Sequence, residues 1–257
     1  MTVFSSPVTL GLDLGLALLA AHLVGDFLLQ SKSMVKEKRR PGILALHGAI
    51  LAAVSYIFAA RWIVWEIPTA IFITHIGIDF LKTSQRRPGA AAFVIDQLAH
   101  LVVIVALACQ APRWGSVSQW TEWWGQPWWS VETALSGFIL TVWMGRLLVG
   151  FGVQPYLDEI QSATGAIDSA FKSARGLTNG GRLIGQWERA LIFLFVGLGQ
   201  PSSIGFLIAA KSIFRFGELK DRENRMEAEY ITIGTLMSFG WAMAISYPTW
   251  WVARVLL

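Results

Sequence analysis

The sequence is poor in three kinds of residue, and each shortage narrows what the protein can be. It has one cysteine, Cys109, which excludes an intramolecular disulfide. Only 15% of its 257 residues are charged, against 54% that are hydrophobic, so polar side chains are too few to cover a soluble globule of this size. The composition therefore predicts a membrane protein. Histidine is also scarce, because the chain has only four, all in the first hundred residues.

Several common motifs are absent as well. There is no glycine-rich phosphate loop and no Gly-x-Ser-x-Gly nucleophile elbow, which argues against ATP hydrolysis and serine-hydrolase chemistry. No basic region precedes the first apolar segment and no small-residue cleavage site comes after it, so we expect a retained first helix. The net charge of +4 is explained by basic loops between membrane spans and does not indicate a nucleic-acid partner.

Apolar runs long enough to cross a hydrocarbon core of about 30 Å recur along the whole chain. We therefore expect an all-α, polytopic helical bundle of about eight spans, at 10–30, 42–60, 67–84, 91–110, 132–152, 183–200, 202–217 and 228–247. The expected organisation is a four-helix half at 1–111, a Trp-rich outer interfacial loop at 112–131, and a second four-helix half at 132–257. An amphipathic connector at 154–178, lying on the cytoplasmic membrane surface, is expected inside the second half.

The loops predict an orientation. Lysine and arginine concentrate after the first and third spans, in Lys32–Arg40 and at Lys82, Arg86 and Arg87, which places these loops in the cytoplasm. Ten of the thirteen tryptophans fall in or beside the opposite connections, as expected for residues that prefer the membrane interface. Both termini are therefore predicted to lie outside.

One pattern dominates the first half. A histidine and an aspartate four residues apart occur three times, as His22/Asp26, His75/Asp79 and Asp96/His100, and His47 lies between the first two pairs. Residues four apart share a helix face, and the predicted orientation puts all seven at similar depth. Ionisable groups inside a membrane are costly unless they pair, bind ions or line a cavity. The pattern predicts one or two sites for Zn²⁺, Mn²⁺ or Fe²⁺, with interhelical hydrogen bonding as the structural alternative.

The second half contributes charge at the same predicted depth. Glu188 and Arg189 lie inside the sixth predicted span, and Lys211 and Arg215 share a face of the seventh. Helix-to-helix ion pairing explains some of these groups; alternatively, the three basic residues form an anion subsite. We assign Glu188 and Asp96 as candidate catalytic residues, and candidate substrate-binding residues are Arg189, Lys211, Arg215, Lys82, Gln30 and Gln97.

The motifs resemble those of an uncharacterised family of bacterial polytopic membrane proteins. The resemblance is carried by His22-x₃-Asp26-x₃-Gln30, His75-x₃-Asp79-x₂-Lys82, Asp96-Gln97-x₂-His100, Glu188-Arg189 and Lys211-Ser212-x₂-Arg215. It implies a location in the bacterial inner membrane and no established activity.

The leading hypothesis is a metal-dependent membrane enzyme that hydrolyses a phosphate-bearing or other anionic amphiphile at the cytoplasmic leaflet. Its expected partners are membrane lipid and that substrate, with no nucleic acid, and an oligomer is compatible with the sequence. The first alternative is a divalent-cation or proton-coupled transporter, since intramembrane Asp and His also mark ion pathways. The second is a scaffold subunit whose histidine and aspartate layer is purely structural.

Overall fold

The computed structural model describes residues 6–83, 89–164, 180–215 and 225–257, and within these ranges the chain is helical without any strand. We number the helices α1 (Pro7–Leu23), α2 (Lys32–Glu37), α3 (Pro41–Ala59), α4 (Glu66–Thr83), α5 (Ala90–Gln110), α6 (Gln119–Trp124), α7 (Pro127–Ile139), α8 (Gly145–Thr164), α9 (Gly180–Gly197), α10 (Ser202–Arg215) and α11 (Arg225–Val255). A π-helical turn, Val24–Leu29, continues α1, and a second one, Leu140–Met144, joins α7 to α8.

Local sequence signals explain where several of these helices start and stop. Ser6 caps α1 by accepting a hydrogen bond from the Thr9 backbone N–H, and Pro7 comes next, at a position where its missing N–H costs nothing. Pro41 begins α3 in the same way, and Ala60, in the left-handed region at φ 42°, ends it.

Four helical stretches in the described ranges are long and apolar enough to cross a membrane: Pro7–Leu29, Pro41–Ala59, Ala90–Trp114 and Pro127–Ser162. They cover the predicted spans at 10–30, 42–60, 91–110 and 132–152. Within its described residues the chain is thus all-helical with four candidate membrane-spanning helices, and the expected total of about eight spans is not supported.

The other four predicted spans are helical in their described residues, but each is too charged, too short or too polar to count as a candidate membrane span. Helix α4 carries Glu66, Asp79 and Lys82, and α9 carries Arg182, Glu188 and Arg189. Helix α10 has only 14 residues, and α11 interrupts its apolar residues with Thr, Ser and Gly. Periodicity and runs of apolar residues predicted the helices correctly, but they overestimated how many are apolar along a full membrane thickness.

The chain divides into two compact units. Unit 1 comprises Met1–Ile139 with Trp251–Leu257, and unit 2 comprises Leu140–Trp250. The Trp-rich segment expected to be a loop contains α6 and the start of α7, and it belongs to unit 1. The connector expected at 154–178 continues α8 as far as Thr164, and its remainder lies outside the described residues.

Helix α1 is central in unit 1, where it packs against α3, α5 and α7, while α4 packs against α3 and α5. The core of unit 1 consists of buried apolar side chains, including Leu14, Leu18, Leu51, Ile67 and Ile104. In contrast, the outer face of α5 exposes Ile95, Leu98, Val102 and Val105. Apolar side chains on the outer face of a helical bundle, with polar side chains kept inside it, are the arrangement that a lipid environment favours.

Unit 2 has a smaller core of its own. Ile192 and Val196 of α9 pack with Ile204 of α10 and with Phe239 and Ala242 of α11. The π-helical turn before α8 leaves the carbonyls of Leu140 and Val142 available, and they accept hydrogen bonds from Trp241 Nε1 and Arg189 Nη2 at 3.0 and 3.1 Å. Polar side chains therefore satisfy the irregular backbone in this unit.

Candidate metal centre

The seven histidines and aspartates singled out in the first half lie together inside unit 1, and we call them the His/Asp cluster: His22, Asp26, His47, His75, Asp79, Asp96 and His100. They come from four helical stretches, α1 with its π-helical turn, α3, α4 and α5. All are buried except Asp26, whose side chain is 10% exposed. The sequence prediction that these residues share one place in the fold is confirmed; their role as metal ligands stays a prediction.

Helix geometry brings each pair together as the spacing predicted. His75 Nε2 lies 3.3 Å from Asp79 Oδ2 on α4, and His100 Nε2 lies 3.8 Å from Asp96 Oδ1 on α5. On α1 the π-helical turn begins between the two members of the pair and widens the backbone. Asp26 consequently presents Oδ2 to His22, at 3.8 Å, and Oδ1 to His47 of α3, at 3.0 Å.

A glycine next to His47 allows α3 and α4 to approach closely at this level. A Cβ atom added to Gly48 would lie 2.6 Å from Cγ1 of Ile76, which is the residue after His75. The close approach places the two Nε2 atoms of His47 and His75 only 3.1 Å apart.

Four donor atoms meet at this point: Asp26 Oδ1, His47 Nε2, His75 Nε2 and Asp79 Oδ2. His47 Nε2 is 3.0, 3.1 and 3.7 Å from the other three in that order, and His75 Nε2 is 3.4 Å from Asp26 Oδ1 and 3.3 Å from Asp79 Oδ2. In a tetrahedral site with bonds of 2.0–2.1 Å, two ligand atoms are separated by about 3.3 Å. These five distances, among two imidazole nitrogens and two carboxylate oxygens, are compatible with the ligands of a divalent ion such as Zn²⁺.

Several residues of the cluster have side-chain atoms without any hydrogen bond. Asp79 Oδ1, Asp96 Oδ1 and His100 Nε2 are buried and have no hydrogen-bond partner. An oxygen of each aspartate and a nitrogen of His100 lie within 4.8 Å of one another. Unpaired buried acceptors are costly, so their convergence calls for a positively charged partner.

Two amides connect the cluster to its partly exposed side. Gln97 Nε2 donates to Asp96 Oδ2 at 3.2 Å and to Asp26 Oδ2 at 3.4 Å, while its Oε1 lies 3.4 Å from His22 Nε2. The Gln30 amide nitrogen lies 2.9 Å from His47 Nε2. Gln30 and Gln97 are therefore placed to orient the cluster, whatever they do toward a substrate.

Two lysines balance part of the negative charge. Lys82 Nζ is 2.6 Å from Asp96 Oδ2, so Lys82 contacts the cluster, and its predicted role in binding a substrate stays a prediction. Lys38 Nζ is 2.5 Å from Asp79 Oδ2 and its side chain is buried, a contact that the sequence did not reveal. Lys38 lies in a run of basic residues explained by membrane orientation, and its neighbours Lys36, Arg39 and Arg40 are exposed. Nothing in the sequence distinguishes Lys38 from them.

The buried Lys38 leads to the first prediction. In protein freed of metal by a chelator, Lys38→Met is expected to lower the free energy of unfolding by about 3–5 kcal/mol, because it leaves the buried Asp79 carboxylate without its counter-charge. Thermal unfolding of the detergent-solubilised protein, followed by circular dichroism, measures the change. Lys36→Met, two residues away and exposed, is the matched control and should unfold like the wild type. Equal unfolding of the two variants would contradict the assigned ion pair.

A second buried polar group in unit 1 is centred on Asp13 of α1. Asp13 lies at the other end of α1 from the His/Asp cluster and is 1% exposed. It accepts hydrogen bonds from the backbone N–H of Ser118 at 2.7 Å, from Trp129 Nε1 at 3.0 Å, from Thr121 Oγ1, and from Arg61 Nη2 at 3.2 Å. Asp13 thereby fixes the Trp-rich segment to α1.

The charged residues predicted for the second half all lie in unit 2. Glu188 and Lys211 form an ion pair, with 2.6 Å between Oε2 and Nζ. Arg189 is buried and donates to Ser238 Oγ at 2.8 Å and to the Val142 carbonyl. Arg215 is the last residue of α10, and its side chain lies outside what the structure describes. These contacts show ion pairing and backbone capping, while the anion subsite and the acid–base role of Glu188 remain predictions.

Comparison with known proteins adds a family but no activity. No curated protein and no solved structure matches the chain. Residues 14–127 match a family model described as "Protein of unknown function (DUF3307)", and this range contains the whole His/Asp cluster. Over these residues, which are less than half of the chain, the protein is similar to this family of uncharacterised proteins, as the resemblance of its motifs to an uncharacterised family predicted.

Proposed function

We propose that unit 1 holds a divalent metal ion and that the protein is a membrane enzyme that hydrolyses an anionic, phosphate-bearing amphiphile. One observation carries the proposal: Asp26 Oδ1, His47 Nε2 and His75 Nε2 lie 3.0–3.4 Å from one another, and Asp79 Oδ2 lies 3.3 Å from His75 Nε2 and 3.7 Å from His47 Nε2, close to the ligand spacing of a tetrahedral ion. Hydrogen bonding alone does not require two imidazole nitrogens and two carboxylate oxygens to face one point.

The chemistry that the ion supplies when bound is Lewis-acid activation, which lowers the pKa of water toward neutrality. The residues of this chain hold and orient the ligands. Lys38 fixes Asp79, and Gln97 fixes Asp26 relative to Asp96. Asp96 is close enough to the centre to hold a proton during the reaction, and its Oδ1 has no other hydrogen-bond partner.

Access to the cluster favours an amphiphile. Asp26, Gln30 and Gln97 are partly exposed on one side of the cluster, and the half-exposed Lys82 ammonium beside them would attract an anionic group. Leu28 and Leu29 are exposed next to Asp26. A polar head could thus reach the cluster while its apolar tail lies along these leucines.

The membrane location and orientation belong to the same proposal. Lys38 and Lys82 contact Asp79 and Asp96 of the cluster, and the positive-inside rule assigns the basic segments of the sequence that contain them to the cytoplasm of a bacterial inner membrane with both termini outside. In this orientation the substrate is a lipid of the cytoplasmic leaflet. Arg189, Lys211, Arg215 and Glu188 of unit 2 are retained as candidates for anion binding and for acid–base catalysis.

One observation favours a transporter as the second candidate. A small cavity continues from His22, His75 and His100 toward the hydroxyl groups of Ser55 and Thr74. Ile71 and Ile104 of the apolar core also line this cavity, so it offers few polar groups to an ion. That apolar lining is why we place hydrolysis first, and ion flux into liposomes carrying the purified protein discriminates between the two.

The second prediction tests hydrolysis. Purified protein supplied with Zn²⁺ or Mn²⁺ is expected to release inorganic phosphate from at least one member of a panel of lipid phosphate monoesters and lipid pyrophosphates. Asp26→Asn is expected to lower the rate by about 10²-fold or more, because it removes a charged ligand of the ion. Lys36→Met should retain the wild-type rate. Release of phosphate that is unchanged in Asp26→Asn and in chelator-treated protein would overturn the assignment.

A further inference from the structure

A second group of unpaired donors lies beside the first set, and it shares Asp79 with it. The Oδ2 atom of Asp79 lies 3.7 and 3.3 Å from Nε2 of His47 and His75, and both oxygens of Asp79 are buried without a hydrogen-bond partner, although Oδ2 is ion-paired with Lys38. Asp96 Oδ1 and His100 Nε2 are also unpaired, and the two residues are 4% exposed. An oxygen of Asp79 lies within 4.8 Å of donor atoms of Asp96 and His100, so this carboxylate belongs to two donor sets and is suited to bridge two metal ions.

The spacing of the second set differs from that of the first. Asp96 Oδ1 and His100 Nε2 are 3.8 Å apart, and an oxygen of each aspartate and a nitrogen of His100 lie within 4.8 Å of one another. Neighbouring and opposite ligands of an octahedral ion with bonds of about 2.1 Å are separated by about 3.0 and 4.2 Å. Only three protein ligands are offered, so an ion at this position keeps coordination places for ligands that the protein does not supply.

The charge of the site determines which ligand fills those places. Three aspartates and the ammonium groups of Lys38 and Lys82 give the cluster a net charge of −1 when the imidazoles are neutral. One divalent ion changes this to +1, and a second would raise it to +3, which is unfavourable in a buried site. A phosphate group carries about −1.5 to −2 charges at neutral pH and would bring the total back near +1.

We propose that Asp79 bridges two divalent ions, with the second ion held by Asp79 Oδ1, Asp96 and His100, and that this second ion binds together with a phosphate group. The inference rests on the proposed function, and it specifies how the site recognises its substrate class. Two ions about 3.5–4 Å apart would clamp the phosphate oxygens, as in other two-metal sites. Lys82, which forms an ion pair with Asp96, would lie beside the phosphate in this arrangement.

The experiment measures metal content and coupling, and it needs no turnover. Metal-free protein in detergent is equilibrated with Mn²⁺, with or without inorganic phosphate, and freed of excess ion by gel filtration. Elemental analysis is expected to find one Mn²⁺ per chain without phosphate and two with phosphate. Electron paramagnetic resonance should show a spin-coupled pair only in the second case, because the ions are then close together.

Two variants locate the second ion. Asp96→Asn and His100→Gln are expected to stay at one uncoupled Mn²⁺ with phosphate present, and Glu66→Gln, an exposed carboxylate of α4, should behave like the wild type. Using both variants keeps the test decisive if one of them fails to give monodisperse protein. One Mn²⁺ per wild-type chain with phosphate would overturn the bridge and leave the proposed single-ion function standing. Two coupled ions in both variants would also overturn it, and no Mn²⁺ under either condition would overturn both proposals.

Discussion

The double substitution His47→Ala/His75→Ala is expected to remove the bound divalent ion, whereas His22→Ala/His100→Ala is expected to leave one ion per chain in the absence of phosphate. The first pair supplies half of the four donor atoms with tetrahedral spacing. His22 and His100 supply none of these four atoms, although the His100 ring stacks on that of His75 with their centroids 4.2 Å apart. Loss of partners that merely orient a ligand weakens metal binding by about 10–100-fold, so loss of two ligands should exceed this.

The matched comparison makes this the most informative measurement. Both variants remove two imidazoles from one buried cluster, so they change composition and cavity volume equally. Elemental analysis of monodisperse protein, with Zn²⁺ and Mn²⁺ supplied in turn, compares them with the wild type. If the two variants lose the ion equally, the four-atom set does not define the centre. If the wild type itself carries no divalent ion, the cluster is a hydrogen-bonded polar core and the scaffold hypothesis is favoured.

Substitution of Asp13 should have an effect on stability as large as that of Lys38→Met. Asp13→Ala is expected to lower the free energy of unfolding by about 3–5 kcal/mol, because it leaves the Arg61 guanidinium buried without a counter-ion. Arg61 is 5% exposed, its Nη2 is 3.2 Å from Asp13, and its Nε and Nη1 atoms have no hydrogen-bond partner. Burial lowers the pKa of Arg61, and the Asp13 carboxylate opposes that shift. Unfolding in mixed micelles, followed by circular dichroism, measures the loss.

A double variant separates charge from packing. Asp13→Leu/Arg61→Met replaces the ion pair with apolar side chains and should recover part of the stability lost in Asp13→Ala, since apolar replacement of a buried pair is often close to neutral. In both variants the Ser118 N–H loses its Asp13 acceptor and Trp129 Nε1 loses one of its two acceptors, Asp13 and Thr121 Oγ1, so recovery should be incomplete. Glu66→Ala is the exposed control. An Asp13→Ala protein as stable as the wild type would contradict the role assigned to this residue.

The sequence predicted the His/Asp cluster because its main determinants are local. A spacing of four residues places His75 with Asp79 and Asp96 with His100 on a common helix face without any knowledge of tertiary packing. The polarity of the four segments then predicted that these faces meet, since the cost of exposing them to lipid is high. Both steps depend on periodicity, which the sequence records directly.

The features that the sequence did not reveal depend on contacts between distant segments. Lys38 is one basic residue among several, and only the fold places it against Asp79. In the sequence Asp13 is an isolated polar residue, and only the fold places Ser118, Thr121 and Trp129 within hydrogen-bonding distance of it. The number of spans was overestimated for a related reason, because helical periodicity in α4 and α9 does not reveal whether their charges are sheltered by neighbouring helices.

Because of the π-helical turn after α1, this site depends on the number of residues in that turn as well as on which residues they are. Between Val24 and Leu29 the backbone accommodates an additional residue relative to a regular α-helix. Deleting one residue there would restore α-helical geometry and rotate the residues after the turn by about 100° relative to α1. Relatives that differ by a single-residue gap at this position could keep every histidine and aspartate and still lack the centre. Inheritance of the site therefore has to be judged from the number of residues separating His22 from Gln30 as well as from their identities.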